Sequence, residues 1–305
     1  MNYGEFLEYV RDGISKILGE ESNVYVHKVL KNNNIELDAL AVTQPGSNVS
    51  PTIYLNEYYN DYLDGRKLGG IINDIYDLYE EHRGKMEFDI EIFKDFEKIK
   101  KRIAFKVVNA ASNQKLLEDV PNIPLLDLAI VFYFIVDSDF LGSATALIHN
   151  MHLELWNINE KELYKIAMEN TPKILNYELR NMNEIIREMI SSEIKGEIPD
   201  IAFKEVEDSK GRIKMYVLTN SQKVNGAACI LYDGILADFA SKHGKDLYIL
   251  PSSVHEVILV LDEDEIKKED LDNMVREVNR IEVDEGDILS DHAYIYRKDI
   301  NQICM

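Results

Sequence analysis

The chain has 305 residues, of which 46% are hydrophobic, so it holds enough apolar material to bury a sizeable core. Its 29% charged residues and its low counts of glycine (15) and proline (7) exclude the disordered and fibrous classes. The 55 acidic residues against 34 lysines and arginines give a formal net charge of -21. Such a charge repels a phosphate backbone, so we expect no direct binding to nucleic acid.

The expected compartment is the cytoplasm. The N-terminal segment mixes charged with apolar residues and lacks the continuous apolar run of a signal peptide. The most apolar stretch, 125–136, is shorter than the roughly 20 residues that span a bilayer, and it contains Asp127, so no membrane partner is expected. The two cysteines, Cys229 and Cys304, show no disulfide or zinc spacing. We expect Cys229, inside an apolar run, to be a small buried hydrophobe.

Residues 1–120 are predicted to form an N-terminal helix, a hairpin and a helical region. Apolar residues at helical spacing predict a helix over 3–18 that ends at Gly19. Two apolar runs flank Asn32-Asn33-Asn34, a triplet that tolerates left-handed turn geometry, so a hairpin is expected there. The segments that follow are predicted to be a strand over 51–55, two short helices over 57–79 broken at Gly69-Gly70, a charged helix over 88–100 and a strand over 102–108.

The central unit, 121–195, is predicted to contain a core strand or core helix at 125–136 and a short strand at 145–148, followed by two helices. In the first helix, at about 159–169, Asn159 and Glu162 have the relation of a capping box, and Thr171-Pro172 is the expected end. The second helix covers 184–194. The charged segment 196–211 shows no regular periodicity, so we expect a linker or mobile loop there.

The C-terminal unit, 212–305, is predicted to contain two adjacent strands followed by a helix. Its expected elements are strands at 212–218, 247–250 and 254–261, an apolar strand-to-helix run at 227–243, a helix at 269–280 and a last strand at 293–296. The same strand-strand-helix order occurs in the central unit. The predicted class is therefore α+β, with mixed or antiparallel sheets and strand-strand-helix units packed by helices.

Characteristic segments are spread along the sequence, among them VYVHKVLKNNNIELDAL, HLELWNINEKELYKIAMENTP, DLYILPSSVHEVILV and LSDHAYIY. Together these segments resemble a family of unknown function found in anaerobic gut bacteria, and the resemblance spans nearly the whole chain. The strand pair, the acidic helix and the terminal LSD segment are also similar to a second uncharacterised bacterial family. The resemblance implies a bacterial, intracellular protein, and it implies no reaction, substrate or catalytic residue.

Motifs of the common enzyme classes do not occur in the sequence. It contains no phosphate loop, dinucleotide fingerprint, HExxH helix, GxSxG elbow or EF-hand loop, so no cofactor is indicated and no catalytic or metal-ligating residue is assigned. His149 and His152 would share one helix face, and they would hold a metal only if a carboxylate joined them. His255 beside Ser252 and Ser253 suggests a base next to a nucleophile, yet neighbouring strand residues point to opposite faces. We expect His255 to be a buried or half-buried strand residue with a local hydrogen-bond partner.

A candidate ligand site lies in the segment LTNSQKVNGAACILYDG. Asn220, Asn225 and Gly226 form turns readily and precede an apolar segment, where backbone N–H groups can receive an anion. The predicted ligand-binding residues are Asn220, Asn225, Gly226, Ser252, Ser253 and His255.

The predicted function is a non-catalytic binding or regulatory module with a protein or small-molecule partner. Two alternatives stay open: a hydrolase or metal-dependent enzyme that uses His149 and His152 or His255, and an acidic nucleic-acid mimic with an anti-restriction or anti-defence role. Lysine and arginine are interspersed among the acidic residues, which favours an ordinary solvated surface over the mimic.

Overall fold

The computed structural model describes residues 1–45, 51–83, 93–136, 145–193, 213–263 and 266–305. It divides into two units, Met1–Lys94 and Asp95–Met305. Every strand pair between the described residues is antiparallel, and helices pack against the sheets, so the predicted α+β class is confirmed. Within these ranges, no helix is both long and apolar enough to cross a bilayer.

The first unit packs helices against a sheet with the strand order β1-β2-β3. Its elements are α1 (Tyr3–Leu18), β1 (Asn23–Leu30), β2 (Glu36–Thr43), β3 (Ile53–Tyr54), α2 (Asn56–Leu63) and α3 (Leu68–His82). The predicted first helix is confirmed: Phe6, Val10 and Ile14 recur on one face and are fully buried. They share a core with Leu40 and Val42 of β2, whose side chains alternate toward the helices.

The predicted hairpin around the asparagine triplet is also confirmed. β1 and β2 pair without a break from Asn23 opposite Thr43 to Leu30 opposite Glu36. Asn33 and Asn34 have φ of 57° and 56°, the left-handed conformation that asparagine tolerates better than most residues.

The predicted helix break at Gly69-Gly70 is wrong. α2 ends at Leu63, Gly65 follows with φ of 96°, and the two glycines lie in the first turn of α3. Gly65 is the residue whose backbone needs glycine, whereas Gly69 and Gly70 only lower helix propensity. Of the charged helix predicted over 88–100, residues 88–92 lie outside the described ranges, and a short helix, α4, covers Phe96–Ile99.

The second unit contains α4 and the rest of the chain. Its further elements are β4 (Ile103–Asn109), α5 (Gln114–Asp119), β5 (Asn122–Leu125), β6 (Leu128–Ile135), β7 (Thr145–Leu147), α6 (Asn150–Trp156), α7 (Glu160–Ile174), β8 (Tyr177–Asn181), α8 (Met182–Glu193), β9 (Met215–Asn220), α9 (Ile235–His243), β10 (Leu247–Pro251), β11 (Val257–Leu261), α10 (Lys268–Glu282), β12 (Tyr294–Arg297) and β13 (Gln302–Cys304). Short 3-10 turns cover Gly226–Leu231 and Glu285–Asp287.

Two sheets organise the second unit. One has the order β13-β12-β10-β11-β9-β8, and in the other β6 pairs with β4, β5 and β7. All eight residues of β6 are buried, as its continuous apolar sequence predicts for a strand covered on both faces. The 3-10 turn Gly226–Leu231 contacts β4 of the second sheet and β9 and β11 of the first, so it links both sheets.

Three predicted elements of this unit are corrected. The strand predicted at 254–261 begins only at Val257, because residues before it form a turn closed by side-chain bonds described below. The run after Gly226 is a 3-10 turn and not a strand. α7 continues through Pro172 to Ile174, because the buried Thr171 anchors its last turn: the hydroxyl donates to the Ala167 carbonyl (2.6 Å) and accepts the Phe105 N–H (3.1 Å).

The edge strands β8 and β13 of the larger sheet were not predicted. β8 pairs with β9, from Tyr177 opposite Asn220 to Asn181 opposite Tyr216. The predicted linker at 196–211 lies outside the described residues. The boundaries expected at 120, 195 and 211 stay a prediction.

Candidate functional site

The loop that follows β9 is closed by one buried side chain. Asn220 is fully buried, and its amide oxygen accepts the N–H groups of Gln222 (3.1 Å) and Val224 (3.4 Å). Its amide nitrogen donates to the Val224 carbonyl (2.8 Å). Lys223 and Asn225 both adopt left-handed backbone geometry with φ of 54°. Asn220 therefore fixes loop 220–226 from within, as an asparagine does at a tight turn.

Gly226 allows two chain segments to meet at the base of this loop. A Cβ atom on Gly226 would lie 2.2 Å from the Thr219 hydroxyl, 2.4 Å from the His255 carbonyl oxygen and 2.8 Å from the Asn220 nitrogen. The Thr219 hydroxyl itself donates to the His255 carbonyl (2.8 Å). Only glycine fits between the end of β9 and the turn before β11.

His255 holds this meeting point through its main chain and its ring. Its N–H donates to the Ser253 hydroxyl (3.0 Å), and its ring Nδ1 accepts the Asn225 N–H (3.2 Å). Ring Nε2 lies 3.4 Å from the Asp287 carboxylate. A nitrogen that accepts a backbone N–H carries no proton, so the geometry assigns the proton of neutral His255 to Nε2, facing Asp287.

We call this group the His255 junction. Its members are Thr219, Asn220, Asn225, Gly226, Ser253, His255 and Asp287. It unites five of the six predicted ligand-binding residues; Ser252 lies in the same turn, and no hydrogen bond to the junction is seen for it in the described part of the chain. His255 is half-buried with local partners, as expected, although it lies in a turn and not on a strand.

The junction does not have the geometry of a nucleophile with its base. The Ser253 hydroxyl meets the main-chain nitrogen of His255, and the ring nitrogen that would take its proton already accepts the Asn225 N–H. Catalytic pairs need a hydrogen bond between the nucleophile and an available ring nitrogen. This arrangement supports the backbone instead.

His149 precedes α6 as its N-cap with extended backbone, and only His152 lies within the helix, so the two histidines do not share a helix face as predicted. The His149 N–H donates to Nδ1 of His152 (2.9 Å), and Nδ1 of His149 lies 2.6 Å from the Asp119 carboxylate. Burial lowers the pKa of His152, nearby His149 lowers it further, and Asp119 opposes both. No group of three or more His, Cys, Asp or Glu side chains in the described ranges is arranged to hold a metal ion.

Buried groups below the junction are held in their neutral forms. The Cys229 thiol donates to the Thr219 carbonyl (3.3 Å), and burial raises its pKa to about 12. Burial also raises the pKa of Tyr133 to about 12, against a lowering by its hydrogen bond to the Asn225 side chain. The Tyr232 hydroxyl donates to the Leu175 carbonyl (3.0 Å). Cys229 is a buried hydrophobe with a weak hydrogen bond, as predicted.

A second polar cluster, which the sequence did not predict as a group, joins the tip of the β5–β6 hairpin to the LSDHAYIY segment. Asp127 accepts hydrogen bonds from the hydroxyls of Tyr294 (2.7 Å) and Ser290 (3.4 Å), and Nε2 of His292 lies 3.8 Å away. Ser290 and Tyr294 are almost completely buried, and burial is the main cause of the raised pKa of Tyr294. The available signal was an acidic residue, Asp127, inside an apolar stretch, because even a half-buried carboxylate needs hydrogen-bond donors.

Comparison with models of known protein families gives a match over nearly the whole chain. A family model described as a family of unknown function, DUF5688, matches residues 3–298. The chain belongs to this family. Neither the search of curated proteins nor the search of solved structures gave a match. The predicted membership of a family of unknown function is confirmed, while the gut-bacterial source and the second family stay predictions.

We predict that Gly226→Ala strongly destabilises the second unit. The new methyl group has no room beside Thr219 and the His255 carbonyl, so we expect a loss of about 3 kcal/mol, measured by urea denaturation. Gly69→Ala is the matched control, because a Cβ there meets no atom within 4 Å and alanine favours a helix by up to about 1 kcal/mol. Equal stability of the two variants would contradict the close approach at Gly226.

We predict that Cys229 does not react with Ellman's reagent in the folded protein near pH 8. Its pKa of about 12 leaves almost no thiolate there, and the thiol is fully buried, whereas Cys304 is half-buried. The variant Cys304→Ser should react only after unfolding, and Cys229→Ser should react before it. Rapid labelling of folded Cys304→Ser would show that Cys229 is accessible.

Proposed function

We propose that the chain is a non-catalytic binding or regulatory module whose recognition element is loop 220–226. The observation that carries the proposal is the hydrogen bond from the Asn225 N–H to Nδ1 of His255. This hydrogen bond occupies the ring nitrogen that a general base would need to accept a proton, and it also stabilises the loop. His255, the histidine that most resembled a catalytic group, therefore stabilises the backbone of the loop.

Loop 220–226 is organised before any partner arrives. A left-handed lysine costs about 1–2 kcal/mol, so the conformation of Lys223 persists only because surrounding contacts enforce it. Those contacts are the three bonds of the Asn220 side chain and the close packing of Gly226. A loop already ordered loses little conformational entropy on binding, which favours affinity.

The outer surface of the loop indicates the chemistry of a partner. Lys223 is exposed, and Val224 is 49% exposed although it is aliphatic. The Asp287 carboxylate and the His255 ring lie at the base with about two-fifths of their side-chain surface exposed (41% and 38%). A protein or small molecule with an apolar group next to a carboxylate would meet Val224 and Lys223.

The alternative functions receive less support from the geometry. The hydrolase alternative needs an available nitrogen on His255, and the metal-enzyme alternative needs a carboxylate and two histidines arranged around a metal. For the nucleic-acid mimic, acidic side chains would have to form an unbroken array. Arg66 instead pairs with Asp61 and Asp74, and Arg297 lies beside Asp246 and Asp262.

We also propose that the protein acts in the reducing cytoplasm of a bacterium. Cys229 and Cys304 are both free thiols, which suits a reducing compartment. The bacterial source rests on the resemblance of its segments alone.

We predict that His255→Ala is less stable than the wild type. We expect no enzymatic activity in either protein. Removal of the ring leaves the Asn225 N–H without its acceptor, so we expect a loss of about 1–3 kcal/mol in urea denaturation. His27→Ala, which removes an exposed ring that contacts Tyr25, should cost less than about 0.5 kcal/mol. Ester, phosphate-ester and peptide substrates should show no turnover with either protein. Turnover by the wild type that His255→Ala abolishes at unchanged stability would make the hydrolase the better hypothesis.

We predict that Val224→Asp loses a specific partner that Ile300→Asp retains. Both substitutions place a carboxylate on an exposed aliphatic position, 49% and 53% exposed, but only Val224 lies on the loop. Tagged forms of the two variants would be used to capture partners from an extract of the cells that naturally produce the protein. Quantitative mass spectrometry would measure the captured components. We expect about a tenfold loss of at least one captured component, the size typical for a central contact. Identical captured sets from both variants would exclude the loop as the recognition element.

A further inference from the structure

Within the described ranges, the outer edge of β1 in the first unit offers backbone groups with no strand partner. β1 pairs only with β2 among the described strands. Just beyond β1, Lys31 lies opposite Ile35 and donates its N–H to the Ile35 carbonyl, so these two residues form a hydrogen-bonded pair. Along an antiparallel ladder, hydrogen-bonded pairs alternate with pairs that are not hydrogen-bonded. The residues of β1 that bond to β2 are therefore the odd-numbered ones.

The main-chain N–H and C=O groups of the even-numbered residues of β1 point away from β2. These residues are Val24, Val26, Lys28 and Leu30. The other edge of β2 shows the same alternation. The main-chain carbonyl of Asp38 accepts the Leu55 N–H, so the main-chain groups of this even-numbered residue point toward β3. Four donors and four acceptors lie in a row, which is the pattern that a further strand completes.

Natural sheets usually block such an edge, and β1 has few of the usual devices. Its eight-residue register has no bulge, and its sequence has no proline. Lys28 is its one permanent charge; 69% of its side chain is exposed, and its ammonium group pairs with Glu36 of β2 (3.1 Å). Lysine on an edge discourages pairing with apolar or basic strands, but it favours an acidic one.

The stretch of sequence that contains β1 is poorer in acidic residues than the chain as a whole, although Asp38 of β2 lies opposite Lys28. No Asp or Glu occurs from Ser22 to Ile35, although the chain has 55 acidic residues among 305. This stretch carries Lys28, Lys31 and His27, and the exposed Tyr25 ring lies beside His27 at 5.6 Å. A second copy of β1 would bring two basic strands together, which is unfavourable. An acidic strand is complementary.

We propose that the β1 edge is a docking strand for an extended acidic segment of a partner protein. The segment adds to the sheet by main-chain hydrogen bonds to Val24, Val26, Lys28 and Leu30. Its acidic side chains lie near Lys28, Lys31 and His27. This surface belongs to the first unit, whereas loop 220–226 belongs to the second, so the two proposals stand independently.

The test uses the full-length isotope-labelled chain and a capped peptide of alternating valine and glutamate, as long as β1. Amide hydrogen exchange by NMR should show new protection at Val24, Val26, Lys28 and Leu30. The odd-numbered amides, which already bond to β2, should not change. A peptide with lysine in place of glutamate should bind more weakly.

Two variants separate the backbone from the charge. Val26→Pro removes an outward N–H without removing a bond to β2 and should weaken peptide binding by about tenfold. Lys28→Glu should weaken it by about fivefold and improve binding of the lysine peptide. Protection of the four even-numbered amides in the free monomer would show that the edge is already covered and would overturn the proposal. Protection that depends on protein concentration alone would assign the edge to a second copy, and equal binding of both peptides would exclude charge recognition; either result overturns it.

Discussion

The contact between Gly226 and the His255 carbonyl is the constraint on which the second unit depends. It brings the end of β9 to within bonding distance of the turn before β11, two strands that are neighbours in the same sheet. From that point the chain turns through Gly226–Leu231 and passes between the sheets, where Ala227, Ala228 and Cys229 are buried. A larger residue at 226 would separate the segments, and the loop, the turn and the inter-sheet packing would shift together.

Polar side chains at the centre of the second unit join segments that are distant in sequence. Asn225 reaches Tyr133 of the smaller sheet, and Asp127 of that sheet reaches Tyr294 of the larger one. Each of these bonds lies in a mostly apolar setting, where an unpaired polar group would cost about 1–3 kcal/mol. Apolar packing alone would allow the two sheets to slide against each other. The paired groups specify one arrangement.

Local sequence signals predicted much of the fold, and their failures have clear physical causes. Phe6, Val10 and Ile14 predicted α1 from their spacing, and the asparagine triplet predicted the first hairpin, because both depend on nearby residues. β8 and β13 are short edge strands whose existence depends on their neighbours in the sheet. The helix through Pro172 depends on Thr171 and Phe105, which are far apart in sequence.

Part of the candidate site could be predicted from the sequence, because that part also depends on residues close to one another in the chain. Asn220, Asn225 and Gly226 are turn formers, so their composition already indicated an ordered loop. His255 was a candidate because of its own short segment, and no rule applied to the sequence predicted that it lies beside Asn225. Asp287 gave no signal, because its role arises only when the 3-10 turn at Glu285–Asp287 is placed beside His255. Tertiary contacts of this kind leave no periodicity in the sequence.

The bond between Asp127 and Tyr294 also bears on the order in which the protein matures during translation. The two residues are 167 positions apart, so a ribosome has long since released the β5–β6 hairpin when Tyr294 emerges. Until then the carboxylate lacks its buried donors, and the hairpin tip stays hydrated. The first unit, whose core is complete by Lys94, meets no such delay. Its sheet can form while most of the polypeptide is still being synthesised, and the second unit closes as one late event.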